Sequence, residues 1–198
     1  MGKVLLVVSV LLLASAAVAF VHHRNNSPVT ARQTLVKQAT QGDADAQYKL
    51  GALYVLGEEE PRNDTEAAQW FRKAAEQGHV DAQSSLALMY AAGLGVPPDR
   101  TAAAKWYREA AEHGDAEAQA AITELYYYGL GVPQSKVFAY QWATIPLANP
   151  TLAPDDRSTV QEMLDALTVE LTLTEIAEAE KLAKHWQSRA GDRSQLTQ

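Results

Sequence analysis

Trp70, Trp106 and Trp142 stand 36 residues apart, and five further columns keep the same interval. These are Gly42, Gly78 and Gly114; Ala46, Ala82 and Ala118; Gln47, Gln83 and Gln119; Tyr54, Tyr90 and Tyr126; and Gly57, Gly93 and Gly129. Agreement of that many columns in one register is not coincidence. A fixed period between 20 and 50 residues marks an array in which each unit buries its apolar faces against its neighbours. The chain must therefore be read as repeats before it is read as a domain.

Within a unit the apolar spacing is helical. Ala46, Leu50, Leu53 and Tyr54 fall at i, i+4, i+7 and i+8, which predicts a helix from about Asp43 to Leu56. Ala67, Trp70, Phe71, Ala74 and Ala75 predict a second from about Asp64 to Gln77. Asp64, Asp99 and Ser135 occupy N-cap places, where a side-chain oxygen accepts from free N–H groups of the first turn. Gly57, Gly93 and Gly129 stand where the first helix must end, since glycine takes the left-handed cap without a Cβ clash. Pro61, Pro97 and Pro133 keep the connection from becoming helix. The expected fold is all-α: an α-solenoid of helix–turn–helix repeats of 36 residues, a right-handed superhelix of eight to nine helices. Trp70, Trp106, Trp142, Tyr54, Tyr90 and Tyr126 are its expected core.

The expected units are residues 42–77, 78–113 and 114–148. Ala31, Leu35 and Ala39 repeat the columns of Ala67, Phe71 and Ala75, so 29–41 reads as a capping half-repeat with Thr34 in the tryptophan column. Pro146 and Asn149-Pro150 end the third unit. Residues 154–188 then read as two closing helices, Pro154 to Thr168 and Leu173 to Gln187, the second with Thr174-Glu175 as its start signal and carrying Trp186, and 189–198 as a loose polar tail. Ahead of the array, Val4 to Val21 is free of charge. It reads either as a signal peptide, 1–19, cut after Ala17-Val18-Ala19, or as a membrane anchor extending to 21. Either places the repeats in the periplasm or outside the cell, although Arg24, Arg32 and Lys37 beyond the segment lend no support from the positive-inside rule. An anchored domain facing the cytoplasm is the minority alternative.

Composition removes several function classes. There is no cysteine, hence no disulfide framework, thiolate metal site or cysteine nucleophile. Seventeen basic against 24 acidic residues give a net charge of −7, the wrong sign for nucleic acid. No Ser-His-Asp, HExxH or phosphate-loop spacing occurs, so neither a catalytic residue nor a cofactor is expected. His22 and His23 are adjacent, and His79 and His113 look like surface substitutions in variable columns, so no metal site is expected. Glu58-Glu59-Glu60, with Asp64 nearby, reads as a solvated loop because its carboxylates come from one place in the chain.

The run from Ala75 to Ala111 resembles the Sel-one-like repeat, a relative of the tetratricopeptide repeat. It carries Ala-Glu-Gln-Gly, then Ala-Gln, Leu, Tyr and Gly-Leu-Gly-Val-Pro, then Ala, Trp and Ala-Ala. The neighbouring units match it well, and Leu173 to Trp186 resembles the closing helix of bacterial members. Unit one departs from it, with Glu58-Glu59-Glu60 in place of Leu-Gly-Val. The resemblance implies an adaptor that holds a protein or peptide partner, often in a bacterial envelope. A cysteine-rich subfamily is linked to penicillin binding, an activity not carried over to a chain without cysteine.

In such solenoids the first helices line the inner curve, so a partner-binding surface is sought in their variable columns. Tyr48, Ala52 and Val55 share a face, with Ser84, Leu88 and Ala91, then Ala120, Glu124 and Tyr127, as counterparts. Lys49, Ser85 and Ala121 flank it, as do Leu56, Ala92 and Tyr128. The surface reads as small, apolar and aromatic, suited to an extended peptide or a partner helix, with Tyr127 and Tyr128 as anchors. The alternative for those two is packing under the C-terminal cap. Two rival functions remain: a cell-wall-related or penicillin-binding enzyme, and a passive structural component of an envelope complex.

Overall fold

A computed structural model describes residues 28–57 and 61–195, which contain nine helices and no strand. They are α1 (Pro28–Thr40), α2 (Ala44–Leu56), α3 (Asp64–Glu76), α4 (Val80–Ala92), α5 (Arg100–Glu112), α6 (Ala116–Tyr128), α7 (Lys136–Leu147), α8 (Pro154–Glu170) and α9 (Leu173–Gln195). Each helix from α1 to α7 packs against the next, which makes the array an all-α solenoid. The segment 1–27, with the expected signal peptide or anchor, the acidic stretch 58–60 and the last residues of the expected tail, 196–198, lie outside the described residues.

The same junction recurs between units. Gly42, Gly78 and Gly114 turn the chain with φ of 99°, 88° and 93°. The next residue donates its N–H back to the preceding helix: Asp43 to Gln38, His79 to Ala74, Asp115 to Ala110. The glutamine column closes each junction from inside. Gln47, Gln83 and Gln119 are buried, and their Nε2 groups donate to the carbonyls of Ala39, Ala75 and Ala111 at 3.0, 3.3 and 3.1 Å. These carbonyls belong to the last turn or end of a helix, where backbone acceptors lack intrahelical partners. A buried amide that meets such an acceptor fixes the angle between successive helices.

Within each unit a second junction recurs. Gly57, Gly93 and Gly129 take the left-handed conformation, and the carbonyls of Tyr54, Tyr90 and Tyr126 accept from the N–H of Asn63, Asp99 and Ser135. Asp99 and Ser135 cap α5 and α7 as expected. In unit one, however, the cap is Asn63, whose Oδ1 accepts from Glu66 N–H, and Asp64 is the first helical residue, paired with Arg62 at 2.8 Å. His79 is likewise more than a surface substitution. It caps α4 through Nδ1, as Asp43 and Asp115 cap α2 and α6, and its ring stacks on Tyr48 with centroids 4.7 Å apart.

The interior is built of small residues. Ala46, Ala67, Ala74, Ala82, Ala103, Ala110, Ala118 and Ala139 are all but inaccessible, with Leu50, Leu86 and Ile122 as the larger central side chains. Trp70 and Trp106 are half-buried rather than enclosed. Trp70 packs on the Ala39–Ala46–Leu50 cluster and Trp106 on the one around Leu86, while Lys73 and Lys105 lie over the rings at 3.7 and 5.4 Å. Trp142 is buried because α9 covers it: Trp186 meets it edge-on at 5.7 Å and Ala183 joins the same cluster. Tyr54, Tyr90 and Tyr126 are half-buried at the edges of the core clusters.

α9 begins at Leu173 as expected and differs from its expected form at its C-terminal end. Its N-terminus is capped by Thr172. The Thr172 hydroxyl and N–H both bond Glu175 Oε2, at 2.7 and 2.9 Å, and Glu175 N–H returns a bond to the hydroxyl, a reciprocal capping box. Those bonds hold the Glu175 carboxyl below its ordinary pKa. At the other end the expected loose tail is helical as far as Gln195, because no proline interrupts the run from Leu173. α9 packs on α7, and α8 packs on α7 and α6.

One close approach sets the spacing of units. A Cβ at Gly95 would run into the carbonyl of Asp64 in the preceding unit, and one at Gly131 into that of Arg100. Gly78, also at positive φ, faces open space. Gly78→Ala should cost about 1–2 kcal/mol from backbone strain alone, whereas Gly95→Ala must also push two units apart and should cost clearly more in urea melts. Equal losses would remove this contact from the stacking argument.

Candidate functional site

The first helices α2, α4 and α6 follow one another along one side of the array, and a groove of about 580 Å³ opens across them. Its wall runs from Tyr48 on α2, through Ser84, Ser85 and Leu88 on α4, to Ala120, Ala121 and Glu124 on α6. Tyr107 of α5 reaches it from behind, and Thr151 and Asp156, before and on α8, close the far end. Leu88 is 54% exposed here, an apolar side chain left in water on a helix whose opposite side is buried.

Of the residues expected on this surface, the groove brings together Tyr48, Ser84, Ser85, Leu88, Ala120, Ala121 and Glu124. Several others lie elsewhere. Lys49 is exposed beyond the groove wall, and Ala52 and Val55 pack against the core cluster of Phe71 and Leu86. Tyr127 packs with Tyr140, Leu167 and Ile176 under the C-terminal cap, which takes it out of the groove. Tyr128 is 57% exposed and rests edge-on against Tyr127 at 4.9 Å. The rings that line the groove are those of Tyr48 and Tyr107, one from a first helix and one from a second.

The character of the groove also differs from the small, apolar surface expected. Asp81, Asp115, Glu117, Glu124 and Asp156 all line it, and no lysine, arginine or histidine does. Burial pushes the Glu124 carboxyl above its usual pKa, and the charge of Asp156 adds to the shift. Burial pushes the Tyr107 hydroxyl up to about 12, with Glu124, Asp115 and Glu117 contributing. Tyr48 is raised by burial and by Asp81, Glu117 and Asp115. Asp81, Asp115 and Glu117 come from the first turns or caps of α4 and α6, where negative charge suits the helix dipole. In sequence they read as ordinary helix-start residues; only stacking adjacent units turns two such starts toward one space.

Among the described residues no three His, Asp or Glu side chains converge as a metal site would require. None of their helices is long and apolar enough to cross a membrane.

A family model for the Sel1 repeat matches residues 44–79, 80–115 and 116–145, in register with the helix pairs α2–α3, α4–α5 and α6–α7. The chain belongs to the Sel1 repeat family. Solved structures agree. A protective antigen of uropathogenic Escherichia coli strains displaying an SLR fold superposes with a TM-score of 0.70 at 34% identity, over 87% of this chain and 36% of that one. This chain therefore spans little more than a third of the antigen. A Sel1 repeat protein from Oxalobacter formigenes gives a TM-score of 0.59 at 36% identity, over 66% of this chain and 96% of that one. Helicobacter pylori cysteine rich protein B, at 17% identity and a TM-score of 0.51 over 68% and 98% of the two chains, shares the fold. No curated protein matches the chain. Sel1 repeat proteins generally serve as scaffolds for protein interactions.

The Glu124 shift has a measurable consequence for this Sel1 repeat array. A carboxyl with a raised folded pKa stabilises the fold relative to its charged form only at low pH, and that advantage is lost as pH rises through the folded value. Glu124→Gln should therefore raise the melting temperature at pH 7, and the gain should vanish near about pH 4, where the free carboxyl protonates. A gain of the same size at both pH values would contradict the shift.

Proposed function

We propose that this Sel1 repeat chain is a non-catalytic adaptor of the bacterial envelope that binds a protein or peptide partner along the groove of α2, α4 and α6. The observation that carries the proposal is the groove itself: a concavity shared by three units, walled by Tyr48 and Tyr107 and floored by exposed Leu88. Aromatic and apolar side chains in a concave surface supply contact area at low entropic cost, as docking sites require. The envelope location is supported by the charge-free segment 4–21 at the N-terminus and by the bacterial source of the structural relatives. Here 1–19 would act as a signal peptide, or residues up to 21 as an anchor, ahead of the units at 42–77, 78–113 and 114–148.

One observation favours an enzyme instead. Glu124 and Asp156 both line the groove, and glycoside cleavage uses a pair of carboxyl groups flanking the scissile bond. A peptidoglycan zymogram and labelling by a fluorescent β-lactam test that reading; clearing of the gel abolished by Glu124→Gln would favour it over the adaptor.

The adaptor reading is tested by Ala121→Trp, which places an indole in the groove from a half-buried position on the exposed side of α6. With folding checked by circular dichroism, the variant should lose a partner that the native chain captures from membrane and periplasmic extracts and that mass spectrometry identifies. Equal capture by both would move the docking surface off this groove and leave room for a passive structural role.

A further inference from the structure

The groove leaves one side of its electrostatics unanswered. Its five carboxylates come from α4, α6 and α8 and the turn before α6, and none takes part in an ion pair among the described residues. The ion pairs that do form, such as Arg62 with Asp64 and Lys136 with Glu170, lie outside the groove. Holding like charges together works against the fold, so the arrangement is costly in the free chain. On the groove wall, the Ser84 Oγ is enclosed and has no hydrogen-bond partner, although a serine on a helix can readily bond its own backbone. Ser85 beside it does so, donating to the Asp81 carbonyl at 2.7 Å.

We infer that the occupant of the groove is a basic polypeptide segment, an extended stretch of a partner protein in which lysine or arginine alternates with apolar residues. The inference rests on the groove being the docking surface and adds the chemistry of what docks. Charge complementarity supplies the basic residues: the acids fall into a set around Tyr48, with Asp81, Asp115 and Glu117, and a pair at the far end, Glu124 and Asp156. They are strung along the groove rather than converged, which fits a chain of cations better than one metal ion. Tyr48 and Tyr107 line the groove beside the acids, and exposed Leu88 offers contact to aliphatic stems. Nucleic acid, being anionic, is repelled by the same charges.

The test is fluorescence polarisation with the full chain and a fluorescein-labelled peptide alternating lysine and leucine, against the same peptide with glutamate for lysine. Saturable binding of the lysine peptide alone is expected, weakened at least about tenfold by raising salt from low to high ionic strength. An Asp81→Asn, Glu117→Gln, Glu124→Gln variant, each change near-isosteric, should weaken it by a similar factor, and Ala121→Trp should abolish it. No binding of the lysine peptide, or equal binding of the glutamate peptide, overturns the inference. So does binding that survives neutralisation. If Ala121→Trp nevertheless loses its captured partner, the groove stands as a docking surface and only the basic character of the partner falls. If Ala121→Trp leaves both peptide and partner bound, both fall together.

Discussion

Successive units of this chain can stack only because almost nothing projects between them. The alanine columns at the helix crossings are nearly inaccessible, and at Gly95 and Gly131 the backbone of one unit meets the backbone of the one before it. With side chains that small, dispersion contacts alone would leave the crossing angle loosely defined. The glutamine column defines it, since a buried amide bonded to the end of the preceding helix permits little rotation at the junction. Repetition of that bond three times gives the array a regular curve without a large hydrophobic centre.

The groove follows from this regularity. When α2, α4 and α6 are held at one spacing, their N-terminal turns and mid-helix positions recur along a shared surface, and whatever the sequence varies there becomes a continuous property of the array. In this chain the variation is toward acid. Asp81, Asp115 and Glu117 each suit a helix start, yet stacking brings them beside Glu124 and, through the added helix α8, Asp156. The C-terminal helices thus have two tasks: α9 buries Trp142 and ends the stack, while α8 closes the groove and contributes charge.

The repeat was legible in the sequence because the residues that make it, glycine at two left-handed positions and alanine at the crossings, each have one structural use and recur at one interval. Other features were hidden for physical reasons. The tryptophan column suggested full burial, but Trp70 and Trp106 lie at the rim of their junctions and only Trp142 is covered, by a helix outside the repeat. His79 looked variable because an imidazole is an unusual cap, though its Nδ1 does what the Asp43 and Asp115 carboxylates do. For Tyr127 periodicity left open the groove or packing under the cap, because it continues α6 correctly but carries no information about where α8 and α9 fold back. The acidic lining was missed for the same reason, since it joins residues of three helices and one of them follows no repeat.

The most direct test of the proposal that a partner docks in the groove is backbone amide hydrogen exchange on the full chain, free and bound to a captured partner. Slowed exchange confined to α2, α4, α6 and the first turn of α8 is the predicted result. Protection spread over α3, α5 and α7, with α4 and α6 unchanged, would show that the partner sits on the opposite side of the array and contradict the groove as its docking surface.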